Sequence, residues 1–173
     1  MRHITLITTG GTIEKTYNEQ SGSLENQRSI VRRMLTRLRL EDAVINIMEL
    51  MSKDSLHMTD DDRTRIIAAV RVALGGSPAP EGVVILHGTD TLEITGDRLA
   101  KELGTPACPV VLTGAMRPFE MKRSDALQNL TEALFAAGGG VLEAGVYCVA
   151  HGRALRFPGV TKDRDRGTFV AGR

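Results

Sequence analysis

The sequence predicts an α/β fold: a three-layer, doubly wound, mostly parallel sheet with helices on both faces. Short apolar runs that read as strands alternate with longer amphipathic stretches that read as helices. That order produces parallel pairing through right-handed crossovers. The run Val83-Val84-Ile85-Leu86 is unbroken and largely β-branched, as in a central strand covered on both faces. Polar clusters follow successive strands, and in an open parallel sheet the carboxyl ends share one rim, where ligands bind.

Taken in order, Ile4 to Thr8 reads as the first strand, running into Thr9-Gly10-Gly11-Thr12-Ile13. Two glycines there allow a sharp turn and a close backbone approach to a ligand. Glu14 to Gln27 is polar and long for a connection, the mark of a mobile functional loop. Ser29 to Leu40 carries Ile30, Met34, Leu35 and Leu38 at helical spacing, with arginines between them on a solvated face. Val44 to Met48 is the second strand. Thr59 then caps a helix whose first turn, Asp60-Asp61-Asp62, meets the positive end of the helix dipole, and Gly75-Gly76 ends it. Val83 to Leu86 is the third strand, followed by His87-Gly88-Thr89-Asp90-Thr91 and a helix to about Leu103. Pro109 to Leu112 is the fourth strand. Ser124-Asp125 opens a helix that stops at Gly138-Gly139-Gly140. Val146 to Val149 is the fifth strand, His151-Gly152-Arg153 a tight turn, and Ala154 to Phe157 a short antiparallel piece. Thr161 to Arg173 reads as charged and irregular.

The 173 residues suit one domain, 1–173, with no repeat and no second domain expected. A net charge of +1 gives no electrostatic case for nucleic acid or an anionic membrane as partner. Aromatic residues make up 3% and Trp is absent, which argues against base-stacking surfaces. Cys108 and Cys148 read as buried free thiols inside strands, not as a disulfide. No signal peptide and no membrane-spanning run is visible, so a cytoplasmic protein is expected. His3, His57 and His151 are scattered, and neither H-E-x-x-H nor C-x-x-C occurs, so no metal is expected. A P-loop and a G-x-S-x-G elbow are likewise missing, and Gly10-Gly11 is not a G-x-G-x-x-G, so a dinucleotide site has little support.

Chemistry collects at the expected rim. Thr8, Thr9 and Thr12 follow the first strand, Ser55 the second, and Thr89 and Asp90 the third. Hydroxyl-rich loops beside helix N-termini suit an anionic or amide-bearing small molecule. Thr12 and Thr89 are candidate nucleophiles. A Thr hydroxyl is inert unless a base takes its proton, and Asp90 and Lys162 are the candidate partners. Plainer readings stand beside these. The threonines around Gly10 could instead hold a phosphate through backbone N–H groups, Asp90 could be a helix cap, and a lone Lys162 in a charged tail is most often a solvated surface residue. His87, after a buried strand, reads as a packed core histidine.

At this point the residues resemble a known family. Thr9-Gly10-Gly11-Thr12-Ile13 and His87-Gly88-Thr89-Asp90-Thr91 are similar to the two signatures of bacterial-type L-asparaginases. Gly114-Ala115-Met116-Arg117-Pro118, with Ser124-Asp125 and Asn129-Leu130, resembles a further family stretch. Val160-Thr161-Lys162 resembles the segment with the active-site lysine, and the chain as a whole is similar to a short single-domain member. The resemblance implies hydrolysis of L-asparagine to L-aspartate and ammonia, with L-glutamine a poorer substrate and no metal or cofactor. It implies Thr12 as the nucleophile of an acyl-enzyme and Thr89 with Lys162 as the second catalytic group. Asp90 and Ser55 would hold the α-amino and α-carboxylate groups, and backbone N–H groups around Gly11 and Thr89 would meet the oxyanion. Tyr17 is the candidate for the family's lid tyrosine, while Arg117, Asp125 and Asn129 read as structural. A homo-oligomer, dimer or tetramer, is implied as well. The alternatives are a non-catalytic amino-acid-binding or regulatory module, and the ammonia-generating subunit of an amidotransferase.

Overall fold

The computed structural model describes residues 1–172. Its main sheet has six strands: β1 (Arg2–Gly10), β4 (Ala43–Lys53), β5 (Gly82–Leu86), β6 (Val110–Thr113), β7 (Val146–Ala150) and β8 (Arg153–Arg156). Their order is β4-β1-β5-β6-β7-β8, all parallel except the β7–β8 hairpin at one edge. Two antiparallel pairs stand apart from this sheet: β2 (Thr16–Asn18) with β3 (Ser23–Glu25), and β9 (Val160–Asp163) with β10 (Thr168–Ala171). The helices are α1 (Val31–Leu35), α2 (Asp60–Leu74), α3 (Leu92–Leu103) and α4 (Ala126–Gly138).

The expected three layers are present. Side chains alternate across a strand, so each strand of the sheet feeds two cores. Ile7, Val83, Ile85, Val110, Leu112 and Cys148 pack under α2 and α3. Ile4, Leu6, Val84, Leu86, Val111 and Tyr147 pack under α1 and α4. The α2 start follows its sequence closely: the Thr59 hydroxyl accepts from the Asp62 amide and the Asp62 carboxylate accepts from the Thr59 amide, a reciprocal cap.

Four expectations are corrected. The stretch after Glu14, expected as a loop, carries the β2–β3 hairpin. It closes because Asn18, Ser21 and Ser23 all donate to the Glu25 carboxylate, Asn18 foremost, which holds that group down at about 2. The helix expected over Ser29 to Leu40 is a single turn and a half. Ile30 supplies no capping side chain, and the Thr36 hydroxyl turns back to the Arg33 carbonyl at 2.8 Å. Leu38 and Leu40, past the end of α1, still pack against the core without helical geometry. Cys108 precedes β6 instead of lying in it, although both cysteines are free and buried as read. The tail is not irregular: β9 and β10 pair Lys162 with Phe169, and Val160 and Phe169 are buried.

Between β1 and β5 the winding reverses. The chain leaves β1 for β4 on one side, then crosses to β5 on the other. Such a switch point opens a crevice at the carboxyl ends of the two strands.

Candidate active site

The register of β1 and β5 sets the site. Thr8 lies opposite Leu86, so Thr12 and Thr89 leave adjacent strands at the same rim, four and three residues further on. The loops are locked together by close backbone approach. Gly11 has φ +80°, and a Cβ there would lie 2.4 Å from the Gly88 nitrogen. A Cβ on Gly88 would in turn lie 2.4 Å from the Ser55 hydroxyl. Glycine is thus required at both positions, and the turns bearing Thr12, Thr89 and Ser55 converge on one point. The Gly11 amide donates to the Lys53 carbonyl at 2.9 Å, and Asn26 donates to the Gly11 carbonyl at 2.9 Å.

Lys162 reaches this point from outside the sheet. Its Nζ lies 2.8 Å from the Thr89 hydroxyl and 2.8 Å from Asp90 Oδ1. The Lys162 side chain is only 13% exposed. Its amide donates to Glu93 at 2.8 Å, which fixes β9 against the start of α3. Asp90 does not cap α3, whose cap residue Thr91 makes no side-chain capping bond. Its carboxylate instead takes Lys162 and Arg164, the latter at 2.9 Å. These cations, Lys162 first, hold the Asp90 carboxyl below the ordinary range.

The Ser55 hydroxyl is buried with no hydrogen-bond partner among the described residues, while its carbonyl accepts from the Thr91 hydroxyl at 2.9 Å. A buried hydroxyl without a partner is expensive to leave that way unless a ligand completes it. His87 is fully buried, with Nε2 2.8 Å from the Thr95 hydroxyl and Nδ1 2.8 Å from the Gly88 carbonyl; burial pushes it down to about 4, so it is a neutral packed residue.

Of the residues singled out in the sequence, Gly11, Ser55, Thr89, Asp90 and Lys162 meet directly or through one contact, and Thr12 adjoins them through Gly11. Tyr17 is not drawn in. It is 59% exposed on the β2–β3 hairpin, with its hydroxyl over Gly22. The hairpin itself is moored nearby: Lys15 pairs with Asp54 at 2.6 Å, and the Tyr17 amide donates to Glu120 at 2.8 Å.

Three features went unread in the sequence. Glu14, directly after the Thr12 turn, is fully buried and accepts from the Gly10 amide (3.1 Å), the Ser29 hydroxyl (2.5 Å) and the Ile30 amide (3.3 Å). Burial raises its carboxyl to about 7. Arg164 joins Asp90. His151 bridges Asp125 (2.8 Å) and the Thr168 hydroxyl (2.9 Å), tying β10 to the start of α4. Asp125 also accepts from the amides of Met116 and Arg117 and from Asn129, in keeping with the structural reading of Asp125 and Asn129. No group of three or more metal-ligating side chains exists among the described residues, nor does any helix there have the length and apolarity to cross a membrane.

Comparison with known proteins adds family context. Residues 3–168 match the asparaginase family model described as "Asparaginase, N-terminal". One subunit of the glutamyl-tRNA(Gln) amidotransferase of Methanobrevibacter smithii is 32% identical over 146 residues, 84% of this chain and 33% of that protein. The L-asparaginase of Thermococcus kodakarensis is 34% identical over 126 residues, 73% of this chain and 38% of that protein. The solved thermostable L-asparaginase from Thermococcus kodakarensis superposes with a TM-score of 0.86 at 30% identity, covering 98% of this chain and 51% of that one. The chain therefore spans about a third of the curated relatives it matches and about half of the solved structure.

Proposed function

The chain belongs to the asparaginase family, and on that premise we propose that it is an amidohydrolase that converts L-asparagine to L-aspartate and ammonia. The observation that carries this reading is the 2.8 Å contact between Lys162 Nζ and the Thr89 hydroxyl at the switch point, beside the turn that bears Thr12. A cation held on one threonine, next to a second threonine on a glycine turn, is an arrangement for moving protons around a nucleophilic hydroxyl.

In this reading the Thr12 hydroxyl attacks the side-chain carboxamide carbon. Its proton passes to the leaving nitrogen, the C–N bond breaks and ammonia departs, leaving an ester on Thr12. Thr89 and Lys162 then orient a water that adds to the ester carbon, and the water's proton passes to the Thr12 oxygen as the ester C–O bond breaks, which restores the hydroxyl and releases L-aspartate. Backbone N–H groups around Gly11 and Thr89 stabilise the oxyanion, and losing one such donor typically costs ~3 kcal/mol of barrier stabilisation. Ser55 and Asp90 hold the α-substituents of the substrate, and the unpartnered Ser55 hydroxyl supports its share of that role. Tyr17 is assigned to the lid, moving with its hairpin. A cytoplasmic homo-oligomer belongs to the same reading.

Purified protein incubated with L-asparagine is expected to release ammonia, and Thr12→Ala to abolish the release. Equal rates from the two proteins would end the proposal. A second reading is favoured by the amidotransferase relative, whose match covers 84% of this chain: the same amide cleavage feeding ammonia to a partner protein. Ammonia release by the isolated chain favours the first reading, and release only after addition of a partner the second.

A further inference from the structure

Two glycines precede Thr12, and both lie in the left-handed region, Gly10 at φ +97° and Gly11 at φ +80°. Glycine has the widest backbone freedom of any residue, so the direction of Thr12 is set by what holds these two peptide units. The backbone holds them in part. The Gly11 amide donates to the carbonyl of Lys53 at the end of β4 (2.9 Å), and the Gly11 carbonyl accepts from the Glu14 amide (3.1 Å). Two side chains add to this. Glu14 Oε2 accepts from the Gly10 amide at 3.1 Å, and Asn26 Nδ2 donates to the Gly11 carbonyl at 2.9 Å.

Those two side chains bracket the β2–β3 hairpin. Glu14 stands two residues before β2, and Asn26 directly follows β3. Glu14 also reaches across the base of the hairpin. Its other oxygen, Oε1, accepts from the Ser29 hydroxyl at 2.5 Å and from the Ile30 amide at 3.3 Å. One carboxylate thus joins the turn bearing Thr12 to the chain on both sides of the hairpin. Glu14 has no exposed surface, and its neighbours Ile13 and Ile30 belong to the apolar core. A carboxylate buried among uncharged donors costs stability that an apolar side chain there would not, so its presence answers to geometry and not to packing.

We propose that Glu14 and Asn26 are positioning residues for the Thr12 nucleophile, bracing its diglycine turn from the two stems of the β2–β3 hairpin so that hairpin and nucleophile are held as one piece. Neither side chain takes part in the bond changes. The proposal rests on the amidohydrolase reading and deepens it, because it makes the seating of the hairpin a condition for the attack by Thr12.

The test measures ammonia release from L-asparagine and calorimetric binding of L-aspartate for the intact chain, Glu14→Gln, Asn26→Ala and Ser29→Ala. Gln keeps the size of the side chain but has one acceptor oxygen, so it cannot serve Gly10 and the Ser29–Ile30 side together. Small misplacements of a reacting group are costly, so kcat is expected to fall about 30-fold in Glu14→Gln and about tenfold in Asn26→Ala. KM and the Kd for L-aspartate are expected to stay within about threefold, a split that general loss of structure would not produce. Ser29→Ala is expected to lower kcat about fivefold in the intact chain and less than about twofold in the Glu14→Gln background, because its effect runs through the same carboxylate. Equal Ser29→Ala losses in the two backgrounds, or full kcat in Asn26→Ala and Ser29→Ala, overturns the bracing role and leaves the amidohydrolase reading standing. If Glu14→Gln does not fold, Asn26→Ala and Ser29→Ala decide the matter alone. No ammonia from the intact chain overturns both.

Discussion

Lys162 Nζ and the Thr89 hydroxyl lie 2.8 Å apart although 73 residues separate them in the chain. The contact joins the end of a central strand to a small hairpin outside the sheet. Replacing Lys162 with Met keeps the length of the side chain and removes its charge. Steady-state ammonia assays are expected to show kcat reduced about 10³-fold. Lys162→Arg is expected to recover little of it, since a planar fork does not reproduce a compact ammonium on two oxygens at once. Activity within tenfold of the intact chain in Lys162→Met would remove Lys162 from the mechanism.

Gly11→Ala and Gly88→Ala test the convergence of the three loops. The first puts a Cβ 2.4 Å from backbone atoms of Gly88 at φ +80°, and the second puts one 2.4 Å from the Ser55 hydroxyl. Backbone clash combined with left-handed strain is expected to cost Gly11→Ala about 3 kcal/mol in urea denaturation. Gly88→Ala, which meets a side chain, is expected to lose less stability yet comparable activity. Wild-type urea midpoints for both variants would contradict the packing described.

Glu14 and His87 give opposing pH dependences. Glu14 binds its proton more tightly when folded, at about 7 against an ordinary 4.5. Its contribution to stability therefore falls as pH rises between those values. His87 binds its proton less tightly when folded, at about 4 against 6.5, so its contribution rises across that window. Each shift corresponds to roughly 3 kcal/mol, and the two largely cancel between pH 4.5 and 6.5. Glu14→Gln removes one arm. Its stability relative to the intact chain is expected to rise by roughly 3 kcal/mol between pH 4.5 and 7, read by chemical denaturation at stepped pH. A pH-independent difference between the two proteins would contradict the raised value for Glu14.

His151 contacts Thr168 of the strand that pairs with Lys162's own, and is therefore expected to act as a positioning residue for Lys162. His151→Phe keeps bulk and removes both hydrogen bonds. Amide exchange at Phe169 and Val170 is expected to accelerate, with kcat lowered about tenfold and KM little changed. His151→Gln, which restores one polar contact, is expected to recover part of the loss. Fast exchange with full kcat would separate the clamp from the chemistry.

The sheet and its site were readable in the sequence to the extent that neighbouring residues write them. Thr59-Asp60-Asp61-Asp62 is a local signal, and the reciprocal cap formed where it was expected. The unbroken Val83 to Leu86 run became a strand buried on both faces. The glycine turns mark Thr12 and Thr89 in sequence, and the strand register brings the turns that bear them out at the same rim. Glu14 escaped because a carboxylate beside a polar stretch ordinarily faces water, and nothing nearby signals that Gly10, Ser29 and Ile30 will all donate to it. Arg164 escaped because its partner lies 74 residues away. The β9–β10 hairpin escaped because its hydrophobic content is two buried residues, Val160 and Phe169, among charges that read as solvated. Local pattern carries elements; contacts made across the whole chain length do not appear in it.

The small pair of strands that brings the lysine has its own consequence. It joins no ladder of the main sheet, and its anchors are the side-chain contacts of Thr168, Arg153, Glu93 and Asp97 together with two apolar side chains. Such a peripheral piece opens with a smaller free energy than the body it rests on. The working fraction of molecules is then governed by the closure of this one flap, and on warming turnover is expected to fade while the six-stranded body is still intact.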